Sequence, residues 1–419
     1  MGREGEGQGD LVVTWAEMPR SPGHVFYDRL QNLLTEAGLP QKVARAIVRR
    51  AHCRARTKRV GLIRLFLAYV VALSHVRTSV IGPLHMGLST PYELGLNGAY
   101  AVMFFYVISG FLISTVLDQK YTSSRQSTFL FYESRFIRIF SLYWPAVVIV
   151  LLAFGTMGSF LSRELPDILT PLFLIGADWR AGFATYPTVY GEAMVGGLTQ
   201  CLTLASELTF YLMAPFLLRS WRASIAALII SALIRAVLIA TVGFDAIWTY
   251  IFFPSILVFF MLGHFTRVAA ARWPILGNPR VGLSLLFVSL AIFLTNLPVM
   301  PDTRPFWLAA ICFAAAIPGV FSCTKDNRFL NELGALSYPI YIVHVFILHE
   351  MLNTGLFQAI SARFPDEIGP HVIVWAYLIC VGLAAIAAHR LVEQPTAWLM
   401  RRAFSVRNFG RRAQIDPAT

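Results

Sequence analysis

Apolar runs of about 20 residues recur along the chain, broken by short polar connections, and each is long enough to cross a hydrocarbon layer of ~30 Å. They predict ten helical spans, at roughly 59–79, 98–118, 136–156, 197–218, 223–243, 247–268, 279–298, 304–322, 333–354 and 370–391. The run 166–176, "PDILTPLFLIG", is apolar but too short to cross, and is expected to lie re-entrant or at the interface. The expected fold is all-α, a polytopic transmembrane helical bundle of about ten spans.

The flanks read differently. Residues 1–58 are polar and basic, with two helical stretches parted by a Gly-Leu-Pro break. They are expected to form a cytoplasmic extension of interfacial helices on the anionic inner leaflet. Residues 59–400 are the expected membrane domain, and 401–419 a basic cytoplasmic tail. Because the first span follows a polar stretch, it is expected to act as its own insertion signal.

Composition then adds two constraints. With 56% hydrophobic and 14% charged residues, the chain is too apolar for an ordinary soluble protein. A net charge of +12 would suit nucleic acid, but its distribution explains it otherwise. With the N-terminus placed in the cytoplasm, the cytoplasmic segments hold 28 of the 35 Lys and Arg, and the outer segments hold 5. This positive-inside split puts both termini in the cytoplasm of a cell inner (plasma) membrane, against its lipids, and leaves no need for a nucleic-acid partner. Five scattered cysteines give no disulfide framework, and no cluster of Cys, His and Asp has ligand spacing, so no metal is expected.

Ionisable groups at bilayer depth are costly and normally face the bundle interior. In "LIRLFLAYVVALSH" (62–75), Arg64 and His75 are separated by about three helical turns, which sets them on one face, about 16 Å apart. Arg64 either snorkels to the headgroups or looks inward; His75 either bonds a neighbouring helix or performs chemistry. In "AVMFFYVISGFLIS" (101–114), Ser109, Gly110 and Ser114 form a small-residue patch suited to close helix packing or to a narrow ligand. Arg135 and Arg138 in "YESRFIRIFSLYW" share a face at the inner surface, as topology charges or as a phosphate site. Glu207 lies near mid-membrane with Arg235 at similar depth on the next span, so it either forms a buried ion pair with Arg235 or serves chemistry. His344, in "LSYPIYIVHVFILHE", is expected to be a packing residue.

Taken together, these stretches resemble the integral-membrane acyltransferase-3 family. The likeness rests on an Arg-x10-His pattern (Arg64, His75), on "SGFLIS" (109–114), and on an Arg-x-x-Arg pair before an aromatic Tyr-Trp stretch (135–144). A Glu-x-x-Phe-Tyr-Leu segment (207–212), a Ser-Tyr-x-x-Tyr-x-x-His segment (337–344) and a late Val-Glu-x-Pro (392–395) follow in the family's order. The resemblance implies O-acyl transfer, usually of acetyl, from cytoplasmic acyl-coenzyme A to a hydroxyl of a glycan, a lipid-linked glycan or another acceptor. Acyl-coenzyme A is then a donor substrate, and no permanently bound cofactor is expected. It also implies the stand-alone form, without a C-terminal esterase-like domain.

Under that resemblance each residue takes an expected role. His75 is the base, since imidazole titrates near neutrality, and Glu207 is a second catalytic candidate that orients it. Arg64, Arg135 and Arg138 suit the donor's phosphates, while Ser109, Gly110 and Ser114 line its channel or serve the oxyanion. The rival reading is a transporter or flippase for a glycan, with the same groups as a proton relay. It lacks the internal repeats and paired broken helices of transporter folds. A silent scaffold for polysaccharide-assembly enzymes is a third.

Overall fold

The computed structural model describes residues 61–81, 98–121, 125–183, 198, 200–245, 247–294, 302–324, 327–365 and 368–415. The expected interfacial helices of residues 1–58 lie outside them. Helix α1 spans Gly61–Val76 and runs on as a π-helical turn over Arg77–Ile81; α2 spans Gly98–Gln119 and α3 Arg125–Ala153. Three short helices follow, α4 (Met157–Leu161), α5 (Leu165–Phe173) and α6 (Ala177–Phe183). Then come α7 (Cys201–Leu217), α8 (Trp221–Val242), α9 (Phe253–Arg272), α10 (Pro279–Leu294) and α11 (Arg304–Thr324). The chain closes with α12 (Arg328–Ala335), α13 (Ser337–Asn353), α14 (Leu356–Arg363), α15 (Gly369–Ala387), a π-helical turn Ala388–Glu393 and α16 (Gln394–Ile415). No strand occurs among the described residues.

Each of the ten expected spans falls on a helix: α1, α2, α3, α7, α8, α9, α10, α11, α13 and α15. Among the described residues, seven helical stretches are long and apolar enough to cross a membrane, whereas α1, α7 and α10 are apolar but shorter. Two boundaries differ from expectation. Helix α3 begins at Arg125 and runs 29 residues, about 43 Å, so its polar first turns extend past an apolar core of ~30 Å. Helix α9 begins at Phe253, because Asp245 accepts from the backbone N–H groups of Ile247 and Trp248 and holds a separate turn there. The short run expected at 166–176 is α5, nine residues with Pro166 in its first turn, and stopped by Leu174 in the left-handed region at φ 61°. At about 13 Å it cannot cross.

Polarity is distributed for lipid. Helix α8 turns Ile229, Ile230, Leu233 and Val237 outward, and α15 exposes Trp375, Ile379 and Leu383, while Arg235, His264 and His344 are buried. Helices α2 and α9 cross through glycine: a Cβ on Gly110 would sit 1.9 Å from the Phe260 carbonyl oxygen, and one on Gly263 1.9 Å from that of Val107. Backbones meet this closely only where side chains are absent.

Candidate active site

Helices α1, α2, α7 and α13 enclose a cavity with about 480 Å³ of space including its mouth. Arg64 enters from α1, Ser109 from α2, Glu207 from α7, and Tyr338 and Tyr341 from α13. The Ser109 hydroxyl donates to Glu207 Oε1 at 2.6 Å, and Tyr211, one turn after the glutamate, donates to the same oxygen at 2.5 Å. One carboxylate therefore ties α2 to α7 at the cavity wall. Tyr211 was not singled out in the sequence, although its i+4 spacing from Glu207 is a readable signal.

Arg64 makes no hydrogen bond or ion pair with a described residue, yet it lies within Coulombic range of Glu207, Tyr211, Arg135 and Arg138. Two further guanidinium groups and one carboxylate thus lie within Coulombic range of Arg64. Arg135 packs its guanidinium over the rings of Phe131 and Tyr211, with no carboxylate partner among the described residues. Arg138 is engaged differently: it donates to Glu393 Oε1 at 2.8 Å and lies over the Tyr338 ring. Glu393 in turn accepts from His389 Nδ1 at 2.6 Å. Both residues belong to the π-helical turn, where the altered spacing of backbone hydrogen bonds accompanies an inward-facing acid. The glutamate of the late Val-Glu-x-Pro segment is thus the carboxylate partner of Arg138.

His75 stands at the other end of α1. Its ring centroid lies 5.1 Å from that of His344, which is fully buried on α13. The expectation that His344 merely packs misses this neighbour. Tyr341 links the two regions, lining the cavity while its ring sits 5.7 Å from that of His344. The carboxylate of Glu207 forms its hydrogen bonds with Ser109 and Tyr211, not with His75, so the expected orienting contact is absent.

Two further expectations are corrected. Arg235 does not pair with Glu207: it forms a two-pronged ion pair with Asp302, at 2.6 and 2.7 Å, and donates also to the Thr249 carbonyl. Asp302 sits between spans, where no apolar periodicity flags it. Of the small-residue patch only Ser109 reaches the cavity. Ser114 is buried and hydrogen-bonded to His264 Nδ1 at 2.8 Å, and Gly110 is filled by the α9 backbone.

The fold and this cavity define an integral membrane protein that gathers cationic groups and a histidine pair between its helices. The chain belongs to the acyltransferase-3 family, whose model, described as an acyltransferase domain, matches residues 58–390. It is also similar to the exopolysaccharide production protein ExoZ of Rhizobium meliloti (strain 1021), 28% identical over 320 residues that cover 73% of this chain and 90% of that protein. Nodulation protein 10 of Rhizobium leguminosarum bv. viciae is 26% identical over 377 residues, 82% of this chain and 94% of the relative. No solved structure matches the chain significantly.

Proposed function

We propose that this membrane acyltransferase carries an acetyl group from cytoplasmic acetyl-coenzyme A to a hydroxyl of an exopolysaccharide or related glycan, with His75 as general base. The acceptor class is suggested by the relatives' names, one for exopolysaccharide production and one for nodulation. The observation that carries the reading is Arg64: a guanidinium with no hydrogen bond or ion pair among the described residues, facing a cavity, on the same helix as His75. A cation in such a place, with no hydrogen bond among the described residues, favours an anionic ligand, and the donor's phosphates supply one. Arg135, which lies over two rings and donates to the Ser134 hydroxyl at 3.4 Å but has no carboxylate partner among the described residues, adds a second positive charge at that end.

The pantetheine arm is thin and spans the ~16 Å along α1, which brings the thioester to His75. The imidazole takes the proton of the acceptor hydroxyl as its oxygen attacks the thioester carbonyl. The tetrahedral intermediate then collapses, the carbon–sulfur bond breaks, and the imidazolium returns the proton to the departing thiolate. Glu207 acts at the donor end, where it balances Arg64 and fixes Ser109 and Tyr211. Both termini lie in the cytoplasm in this reading, and the membrane is the inner one.

Purified protein in liposomes, given acetyl-coenzyme A labelled in the acetyl group and an acidic exopolysaccharide, tests it. Label in polysaccharide esters, lost in His75→Ala, is the expected result. Glycan that crosses the bilayer unlabelled would establish a transporter instead, and full transfer by a folded His75→Ala protein would remove the base.

A further inference from the structure

His344 has a hydrogen-bonding state that can be deduced. Its Nδ1 faces two carbonyl oxygens of its own helix, those of Tyr341 at 2.9 Å and Ile340 at 3.2 Å. Both are acceptors only, so Nδ1 carries the proton and donates. In a neutral imidazole, Nε2 is then an acceptor with an exposed lone pair. That nitrogen is buried and has no hydrogen-bond partner among the described residues. Buried acceptors are rarely left unpaired, because nothing replaces the water they gave up. A histidine present only for packing would be satisfied at both nitrogens, or replaced by a carbon ring.

The neighbour that explains the lone pair is His75, whose ring centroid is 5.1 Å away at an interplanar angle of 50°. Two imidazoles joined by an N–H···N bond of about 3 Å have centroids about 5 Å apart, so the helices already stand at the required separation. The frame around His344 is firm, since the buried Tyr377 hydroxyl donates to the His344 carbonyl at 2.9 Å.

We propose that His344 is a positioning residue for His75: its Nε2 accepts the N–H of one His75 nitrogen, so that the other nitrogen presents its lone pair to the acceptor hydroxyl. This rests on the reading of His75 as the base. It gives a neutral nitrogen the role that a carboxylate fills in hydrolase triads, which fix one tautomer of the catalytic imidazole.

Three variants at one position test it in the reconstituted transfer assay. His344→Asn keeps a donor for the backbone carbonyls but does not reach the Nε2 position. His344→Phe keeps the ring volume without either nitrogen, and His344→Gln places an oxygen near Nε2. We expect kcat to fall on the order of 100-fold in His344→Asn and His344→Phe, with KM for acetyl-coenzyme A within about twofold, and His344→Gln to recover most of kcat. His75→Ala/His344→Asn should be no slower than His75→Ala. Wild-type kcat in a folded His344→Asn or His344→Phe protein overturns the inference while leaving the His75 assignment intact. So does a His344→Gln protein as inactive as the other two, or a double variant slower than His75→Ala by the full single-site factor. Full activity in His75→Ala overturns both readings.

Discussion

The hydroxyl of Ser109 on α2 donates to the carboxylate of Glu207 on α7 across 2.6 Å, and this bond forms one wall of the cavity that Arg64 enters. Because Tyr211 donates to the same oxygen, Oε1 is satisfied twice, while Oε2 forms no hydrogen bond with a described residue. Glu207→Gln keeps an oxygen for both donors but removes the charge opposite Arg64. It should preserve the thermal midpoint and lower kcat/KM for the acyl donor about tenfold, whereas Glu207→Ala should lose stability as well, by about 1–3 kcal/mol. Parallel melting and initial-rate measurements check both.

Arg64 carries the opposite expectation. A side chain with no hydrogen bond to a described residue can be shortened at little cost to folding, so Arg64→Ala should unfold within about 1 kcal/mol of the parent. The loss should appear in donor binding: KM for acetyl-coenzyme A raised about tenfold or more, since a charge-assisted phosphate contact contributes about 1.5–3 kcal/mol. Arg64→Lys should recover part of it. An unchanged KM would remove Arg64 from the donor site.

The Arg138–Glu393 pair separates structural from donor roles. Arg138 is the arginine of the Arg-x-x-Arg pair that already has a carboxylate, at 2.8 Å, and Glu393 is itself held by His389. Removal of Glu393 leaves a partly buried guanidinium uncompensated. A double-mutant cycle of Arg138→Met and Glu393→Leu should give a coupling energy of about 1–3 kcal/mol in unfolding. The corresponding cycle on donor KM should give a smaller value than the Arg64 effect.

What the sequence disclosed follows what is local. Ten helices appear as apolar runs, because a bilayer-crossing segment states its burial in its own composition. Arg64 and His75 share one helix, so their separation follows from helical rise alone. Partnerships between distant segments stay hidden: Glu393 for Arg138, Asp302 for Arg235, His264 for Ser114, and His344 for His75. Each joins residues far apart in the chain, and similar depth does not specify which helices are neighbours. The Glu207–Arg235 expectation fails for that reason: α8 turns Arg235 toward Asp302 and Thr249.

Asp302 offers the test of a purely structural charge. Arg235 is 2% exposed, and with Asp302 removed it would keep the neutral Thr249 carbonyl and Ser255 hydroxyl as acceptors, over the Phe259 ring, with its charge no longer balanced by that carboxylate. Breaking such a pair from one side costs about 3–5 kcal/mol, so Asp302→Ala should lower the detergent-solubilised protein's thermal midpoint strongly. Protein that survives should show parental KM for the donor, because nothing in the pair lines the Arg64 cavity.

Gly110 distinguishes packing from ligand binding within one motif. The residue lies directly after Ser109, so a ligand-lining role and a helix-crossing role predict different losses. A methyl group at Gly110 would stand 1.9 Å from the Phe260 carbonyl oxygen and 2.7 Å from its carbon, both backbone atoms that no rotamer change can move aside. Helices α2 and α9 must then separate, which opens the contact that Gly263 makes with Val107 in the same crossing. Gly110→Ala should therefore cost about 1–3 kcal/mol in stability, as overpacking does, and Gly263→Ala should cost a similar amount although it lies outside the motif. If both variants melt early yet bind donor with parental KM, the glycine serves the crossing. A Gly110→Ala protein that melts normally but has a raised KM would instead put this position on the ligand path.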